Sequence, residues 1–288
     1  MRRETFSTPG SVRLNLEIPA GRIEIETSDT DETTVELEEL SNHEFVRELV
    51  ETARIDSAQR GDAHEIFVEA KLRGGFWISF GRGPEIRLRI TCPKGVQLDI
   101  RTKSADVQGR GEFRVADIKT ASGDVSLDDV LEDVRVKTAS GDVQLERAGG
   151  VLNVNSASGD LHVGSVGGPS SIQLVSGDVY IRDAGDSITS NTISGDQRID
   201  AVFQGRMDLR AVSGDISVGI RRGSRVYVDA NTVSGSTVSE LDLTDAPTEQ
   251  VPEGESTLVE LFAKTVSGDV RIERAPARNT GVELSERP

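Results

Sequence analysis

The sequence predicts an all-β protein: a single-stranded parallel β-helix of about 18-residue coils, with one short helix near the N-terminus. Three observations carry this. The triplets Ser122-Gly123-Asp124, Ser140-Gly141-Asp142, Ser158-Gly159-Asp160, Ser176-Gly177-Asp178 and Ser194-Gly195-Asp196 follow one another at 18-residue intervals. The beat then loosens through Ser213-Gly214-Asp215, Ser234-Gly235-Ser236 and Ser267-Gly268-Asp269. A fixed period near 20 residues marks a chain that stacks one coil on the next. Within each period Val125 and Leu127, then Val134 and Val136, alternate with polar residues, the signature of strands with one buried face. The same places are held by Val143, Leu145, Ala148, Leu152 and Val154, and again by Leu161, Val163, Val166 and Ile172. A hairpin meander explains alternation but not this recurrence. Stacked coils place each residue above its counterpart, about 4.8 Å away, so equivalent surroundings select equivalent residues.

Each triplet reads as a corner. Gly123, Gly141, Gly159, Gly177, Gly195, Gly214, Gly235 and Gly268 supply the positive φ that a sharp turn between strands needs. The flanking Ser and Asp are types that bond local backbone groups. Ala105 stands where Gly is expected in Ser104-Ala105-Asp106, so the first corner is expected to be built differently. Asp124, Asp142, Asp160, Asp178 and Asp196 form a column of carboxylates about 4.8 Å apart. Two readings stand: solvated turn residues, or a row that recruits a cation to relieve repulsion. The dense glycine pattern of calcium-binding nonapeptide repeats is missing, so no metal and no other cofactor is expected.

The organisation expected is a strand-rich region over 1–103 continuous with the solenoid, the repeats over 104–274, and a flexible polar tail over 275–288. Val12, Leu14, Leu16 and Ile18 alternate, as do Ile23 with Ile25 and Val35 with Leu37. Helical spacing of Phe45, Val46, Leu49 and Val50 predicts a helix over about 42–53, capped by Ser41 or Asn42. Strand signals resume at 54–57 and 65–71 around an Arg60-Gly61-Asp62 turn, then at Ile86, Leu88 and Ile90, and at Leu98 and Ile100. The Gly- and Arg-rich loop from Gly74 to Gly83 holds Phe76, Trp77 and Phe80. It is a candidate partner contact, because aromatics with Arg dominate binding hot spots, or a cap on the solenoid's open end. The acidic, Pro-containing stretch from Asp245 to Glu255 reads as an inserted surface loop.

With 33 basic against 49 acidic residues the net charge is −16, which argues against nucleic acid and anionic lipid as partners. Cys92 is the only cysteine, so no intrachain disulfide forms; its place in Ile90-Thr91-Cys92-Pro93 marks a buried small residue. No apolar leader follows the N-terminal charges and no run is long enough to span a bilayer. The sequence as written is therefore expected in the cytoplasm, with no direct membrane insertion. His43, His64 and His162 fall in no triad or metal-ligand spacing, and no catalytic residue is assigned.

The repeated Thr120-Ala121-Ser122-Gly123-Asp124-Val125, with its copies at 138–143 and 265–270, follows a strand ending in Cys92-Pro93-Lys94-Gly95-Val96-Gln97-Leu98. This combination resembles the DUF4097 group of bacterial proteins, which carry the label of adhesins and are related to the toast-rack and head-GIN β-helix domains. The resemblance implies a right-handed β-helix and an association with the cell envelope. It brings no catalytic residue. The function expected is a non-enzymatic binding or scaffold protein with a protein or glycan partner, as a monomer or an end-to-end oligomer. A polysaccharide-active β-helix enzyme and a self-assembling structural protein are the alternatives.

Overall fold

The computed structural model describes residues 1–40, 44–61, 63–71, 85–241 and 257–275. The N-terminal part runs β1 (Arg2–Ser7), β2 (Ser11–Ser28), β3 (Glu32–Glu39), helix α1 (Glu44–Thr52), β4 (Arg54–Arg60), β5 (Ala63–Glu69), β6 (Ile86–Pro93) and the long β7 (Val96–Lys119). Strand β2 lies parallel to β7 from Arg13 opposite Gln97 to Glu26 opposite Arg110. Its other edge takes β5 along the first half and β6 along the second, both parallel. Antiparallel pairing then adds β4 to β5, β3 to β6 and β1 to β3. Helix α1 lies against β3 and buries Val46, Leu49 and Val50 on one face. Their i, i+3, i+4 spacing is why this stretch is a helix among strands. The cap residues named above, Ser41 and Asn42, and Asp62 of the turn lie outside the described residues.

From β7 onward each period contributes two strands to two parallel sheets. The first sheet receives β8 (Val125–Val130), β10 (Val143–Ala148), β12 (Leu161–Val166), β14 (Val179–Ala184), β16 (Gln197–Val202) and β18 (Ile216–Ile220). The second receives β9 (Val134–Thr138), β11 (Leu152–Ser158), β13 (Ser170–Ser176), β15 (Ile188–Ser194) and β17 (Gly205–Ser213). Strand β7 starts both, pairing with β8 through Val107–Phe113 and with β9 through Ala116–Lys119. Registers between layers keep like over like: Val125, Val143, Leu161 and Val179 form one inward row, and Leu127, Leu145, Val163 and Ile181 the next. All eight side chains are at most 2% exposed. The molecule is thus a parallel β-solenoid with an aliphatic interior two sheets wide.

Sequence order and stacking order part company at the last two coils. Strands β19 (Arg225–Ser234) and β20 (Thr237–Ser239) do not stack on β17 and β18. That layer is filled by the final strands, β21 (Leu258–Ser267) on β17 and β22 (Val270–Arg274) on β18. Strands β19 and β20 lie beyond them, paired to β21 and β22. In chain order the outermost layer thus comes before the layer that lies beneath it. The expectation that every coil lies on its predecessor is corrected here. The loosened spacing after Ser213 is where the order changes.

Candidate functional site

The corner glycines and aspartates form one continuous device. All eight corner glycines adopt positive φ, between 109 and 153°. At Gly177 an added Cβ would lie 2.2 Å from the Gly159 carbonyl oxygen of the layer beneath, so both dihedral and stacking distance demand glycine. Ala105, by contrast, lies inside the extended β7 and takes no positive φ; its N–H donates to Thr102 Oγ1. The aspartates are not free turn residues. Oδ1 of each accepts the backbone N–H of its counterpart in the next layer, at 2.8–3.2 Å, in the order Asp106, Asp124, Asp142, Asp160, Asp178, Asp196, Asp215, Asp269 and finally Ser236. Ser236 belongs to the outermost layer, where among the described residues no further N–H needs an acceptor. The Ser236 backbone and hydroxyl donors hold the Asp269 carboxyl below its ordinary range. Inside the corner, Thr138, Ser156 and Thr232 hydroxyls donate to the carbonyls of Ser140, Ser158 and Gly268, which gives the Thr two residues before the Ser-Gly pair a role there, whereas the buried Thr120 hydroxyl of the first triplet has no partner among the described residues.

The outward side of the second sheet is different in kind from the rest of the surface. Strand register stacks Asn153, Ser171 and Thr189 in one column and Asn155, Gln173 and Asn191 in the next. Six uncharged polar side chains thus cover three layers of a chain whose residues are 28% charged. None of the six makes a hydrogen bond through its side chain among the described residues. A third column, Ala157, Val175 and Ile193, stands beside the amides as a ridge; Val175 and Ile193 are about half exposed. Between amides and ridge runs an open groove of about 470 Å³ that ends at Lys137. Columns two residues apart are about 6.6 Å from each other along a strand, so a ligand lying along the solenoid axis meets both at once. The amide column continues as Lys119 and Lys137 on one side and Arg210, Lys264 and Asn231 on the other, with no acid in it. Buried Gln197 fixes the floor near Arg210, its Nε2 donating to Thr192 Oγ1 at 2.9 Å and to the Arg210 carbonyl at 2.7 Å.

The first sheet's outward side is charged and largely self-satisfied. Tyr180 donates to Asp200 Oδ2 at 2.5 Å, and Arg198 Nε donates to Asp200 Oδ1 at 2.7 Å. The Asp200 contact pushes the Tyr180 phenol above its ordinary value. His162 leans on Tyr180 with ring centroids 5.9 Å apart. Both carboxylate oxygens of Asp200 are therefore engaged. Cys92 is buried, and desolvation pushes its thiol up to about 12. Among the described residues no group of three or more His, Cys, Asp or Glu is placed to hold a metal ion, and no helix is long and apolar enough to cross a membrane. The contact candidates Phe76, Trp77 and Phe80, like the insertion at 245–255, lie outside the described residues. Outward positions such as Ser126, Gln144, Tyr180, Arg198 and Ser217 vary between layers and belong to the first sheet. The groove lies on the second, and its signal in the sequence is the loss of charge at three successive repeats.

Comparison with known proteins gives the family. No curated protein matches the chain. Among solved structures, a "putative cell adhesion protein" from Clostridium sporogenes aligns over 95% of this chain and 99% of its own, with 10% identity and a TM-score of 0.32. A "putative adhesin" from Bacteroides fragilis aligns over 94% and 96%, with 13% identity and a TM-score of 0.39. Another from Parabacteroides merdae aligns over 94% of both chains, with 12% identity and a TM-score of 0.28. The model of the Toastrack DUF4097 family matches residues 13–273, from the first strand of the stack to its last, and the chain belongs to that family.

Proposed function

We propose that this chain is a non-enzymatic recognition and scaffold module linked to the bacterial cell envelope, and that it binds through the amide groove of the second sheet. The observation that carries the reading is the set of six unpartnered, uncharged polar side chains from Asn153 to Asn191 beside an aliphatic ridge. Amides offer both donors and acceptors and hydroxyls offer either, while Val175 and Ile193 accept an apolar edge. That chemistry suits a hydroxyl-rich, neutral polymer such as a glycan chain laid along the solenoid axis. A peptide strand adding to a sheet edge would need free main-chain groups, which a sheet face does not offer.

Titration calorimetry against a panel of neutral and acidic oligosaccharides tests the proposal. Binding by a neutral member, weakened about tenfold by Gln173→Ala with Asn191→Ala at unchanged melting temperature, is the expected result, from two hydrogen bonds worth about 0.5–1.5 kcal/mol each. Binding that ignores the double change, or no binding at millimolar concentration, overturns it. New reducing ends after long incubation would instead favour the polysaccharide-active alternative, with Tyr180 and Asp200 as the first residues to replace.

A further inference from the structure

The two ends of the stack are unlike. At one end β5 and β6 cover the edge of β2, with β4 paired to β5, β3 to β6, β1 to β3 and α1 lying against β3. At the other, β19 pairs with β21 on one side and with no strand among the described residues on the other. The inward places of this last layer are only partly sealed. Val226 sits over Val259 and Val228 over Leu261, yet Val228 is 38% exposed where Leu261 is fully buried. A ten-residue strand with a free main-chain edge and an uncovered aliphatic row invites another strand.

From this we infer that the protein forms a closed twofold dimer in which β19 pairs antiparallel with β19 of a second copy. The edge is self-complementary. A twofold at Tyr227 sets Arg225 opposite the partner's Asp229 and Val226 opposite the partner's Val228, so inward residues meet inward ones. Arg225 has no ion pair among the described residues, and Asp229 has only a 4.0 Å contact with Lys264. The other end offers different edges: β4 exposes Arg54, Asp56, Gln59 and Arg60, and β1, paired only to β3 among the described residues, is six residues long and exposes Arg3, Thr5 and Ser7. Open end on open end therefore closes at two copies and does not propagate to a filament.

Light scattering coupled to size exclusion, run as a dilution series, measures the association of the 31.0 kDa chain. Arg225→Asp sets Asp against Asp, and Asp229→Arg sets Arg against Arg. Each alone weakens the dimer about tenfold or more, since two like-charge pairs replace two opposite ones. Mixing the two single variants, or combining both changes in one chain, restores it. Both residues lie on the surface, and matching melting curves check the fold. Tyr227→Cys provides a second readout, because facing Cα atoms in an antiparallel pair are about 4.5–5.5 Å apart, within disulfide range. Oxidation then gives a covalent dimer, with buried Cys92 uninvolved. A monomer at every concentration overturns the inference, as does a dimer indifferent to both charge swaps. A monomer whose Arg225–Ser234 amides resist hydrogen exchange also overturns it, and assigns the edge to residues 242–256 of the same chain.

Discussion

Replacing Gly177 by Ala separates two constraints that the corners combine. At Gly177, φ is +133°, a region that only glycine occupies freely, and an alanine held there costs about 1–3 kcal/mol. The added Cβ would also lie 2.2 Å from the Gly159 carbonyl oxygen and 2.7 Å from its carbon. Layers above and below are locked by ladders of hydrogen bonds, so the contact cannot be relieved by lifting one coil. Overpacking of that kind adds about 1–3 kcal/mol. The expected total, about 2–6 kcal/mol, is a large share of the stability of an ordinary domain. Two controls calibrate it. Gly95 has φ +72° with nothing within 4 Å of its would-be Cβ, so Gly95→Ala should cost only the left-handed term, about 1–2 kcal/mol. Gly235 makes an equally short contact, 2.1 Å to the Gly268 carbonyl, but lies in the outermost layer, which can rise. Urea denaturation of the three variants should therefore rank Gly177→Ala above Gly235→Ala and Gly95→Ala. Equal losses at Gly177 and Gly235 would show that layer confinement contributes nothing, and would refute the reasoning.

Three further outcomes are expected. The Asp269 carboxyl, held below its ordinary value by Ser236, stabilises the outermost layer at every pH above the ordinary carboxylate range; this is lost as pH falls through the depressed value. Exchange of the Ser236 amide should rise there in acid, and Asp269→Asn should remove the pH dependence. Cys92, with its thiol at about 12, should stay unmodified by iodoacetamide at pH 8 in the folded protein and react fully in denaturant; rapid labelling without denaturant would mean that β6 opens. Thermal unfolding should be the same in chelator and in millimolar Ca²⁺, because Oδ1 of each aspartate already accepts an N–H; a rise of many degrees would restore the cation reading.

The coil, its corners and its inward rows were legible because an 18-residue repeat forces equivalent residues into equivalent places, as at Val143 and Leu161. What the period could not convey was order among layers. Ser213 and Ser267 are distant in sequence and adjacent in the stack, and only pairing register reveals it. A trace existed all the same. Ser236 closes the single triplet without a carboxylate, and Thr237 and Ser239 stand where Val270 and Ile272 stand one layer down, as befits a layer with no strand above it among the described residues. A column of like charges suggests repulsion met by solvent or a cation; the donor that each Oδ1 meets is a main-chain N–H, which no side-chain pattern displays. The groove has no conspicuous residue of its own, whereas the first sheet carries His162, Tyr180 and Arg198 at its outward positions. Asn155, Gln173 and Asn191 are informative only as a set.

The exchanged order of the last layers bears on how the molecule comes apart. In a solenoid stacked in sequence, the C-terminal coil is a loose thread: tension or a protease at the tail peels it away and exposes the next. Here β21 and β22 lie between two layers, with β17 and β18 below and β19 and β20 above. Pulling on the C-terminus must shear both interfaces of β21 and β22 together. Newly made chain faces the converse demand, since β19 and β20 have no platform until β21 and β22, which follow them in sequence, have been synthesised and inserted. Strands β21 and β22 therefore act as a bolt, and the layer above them seats only when it slides home.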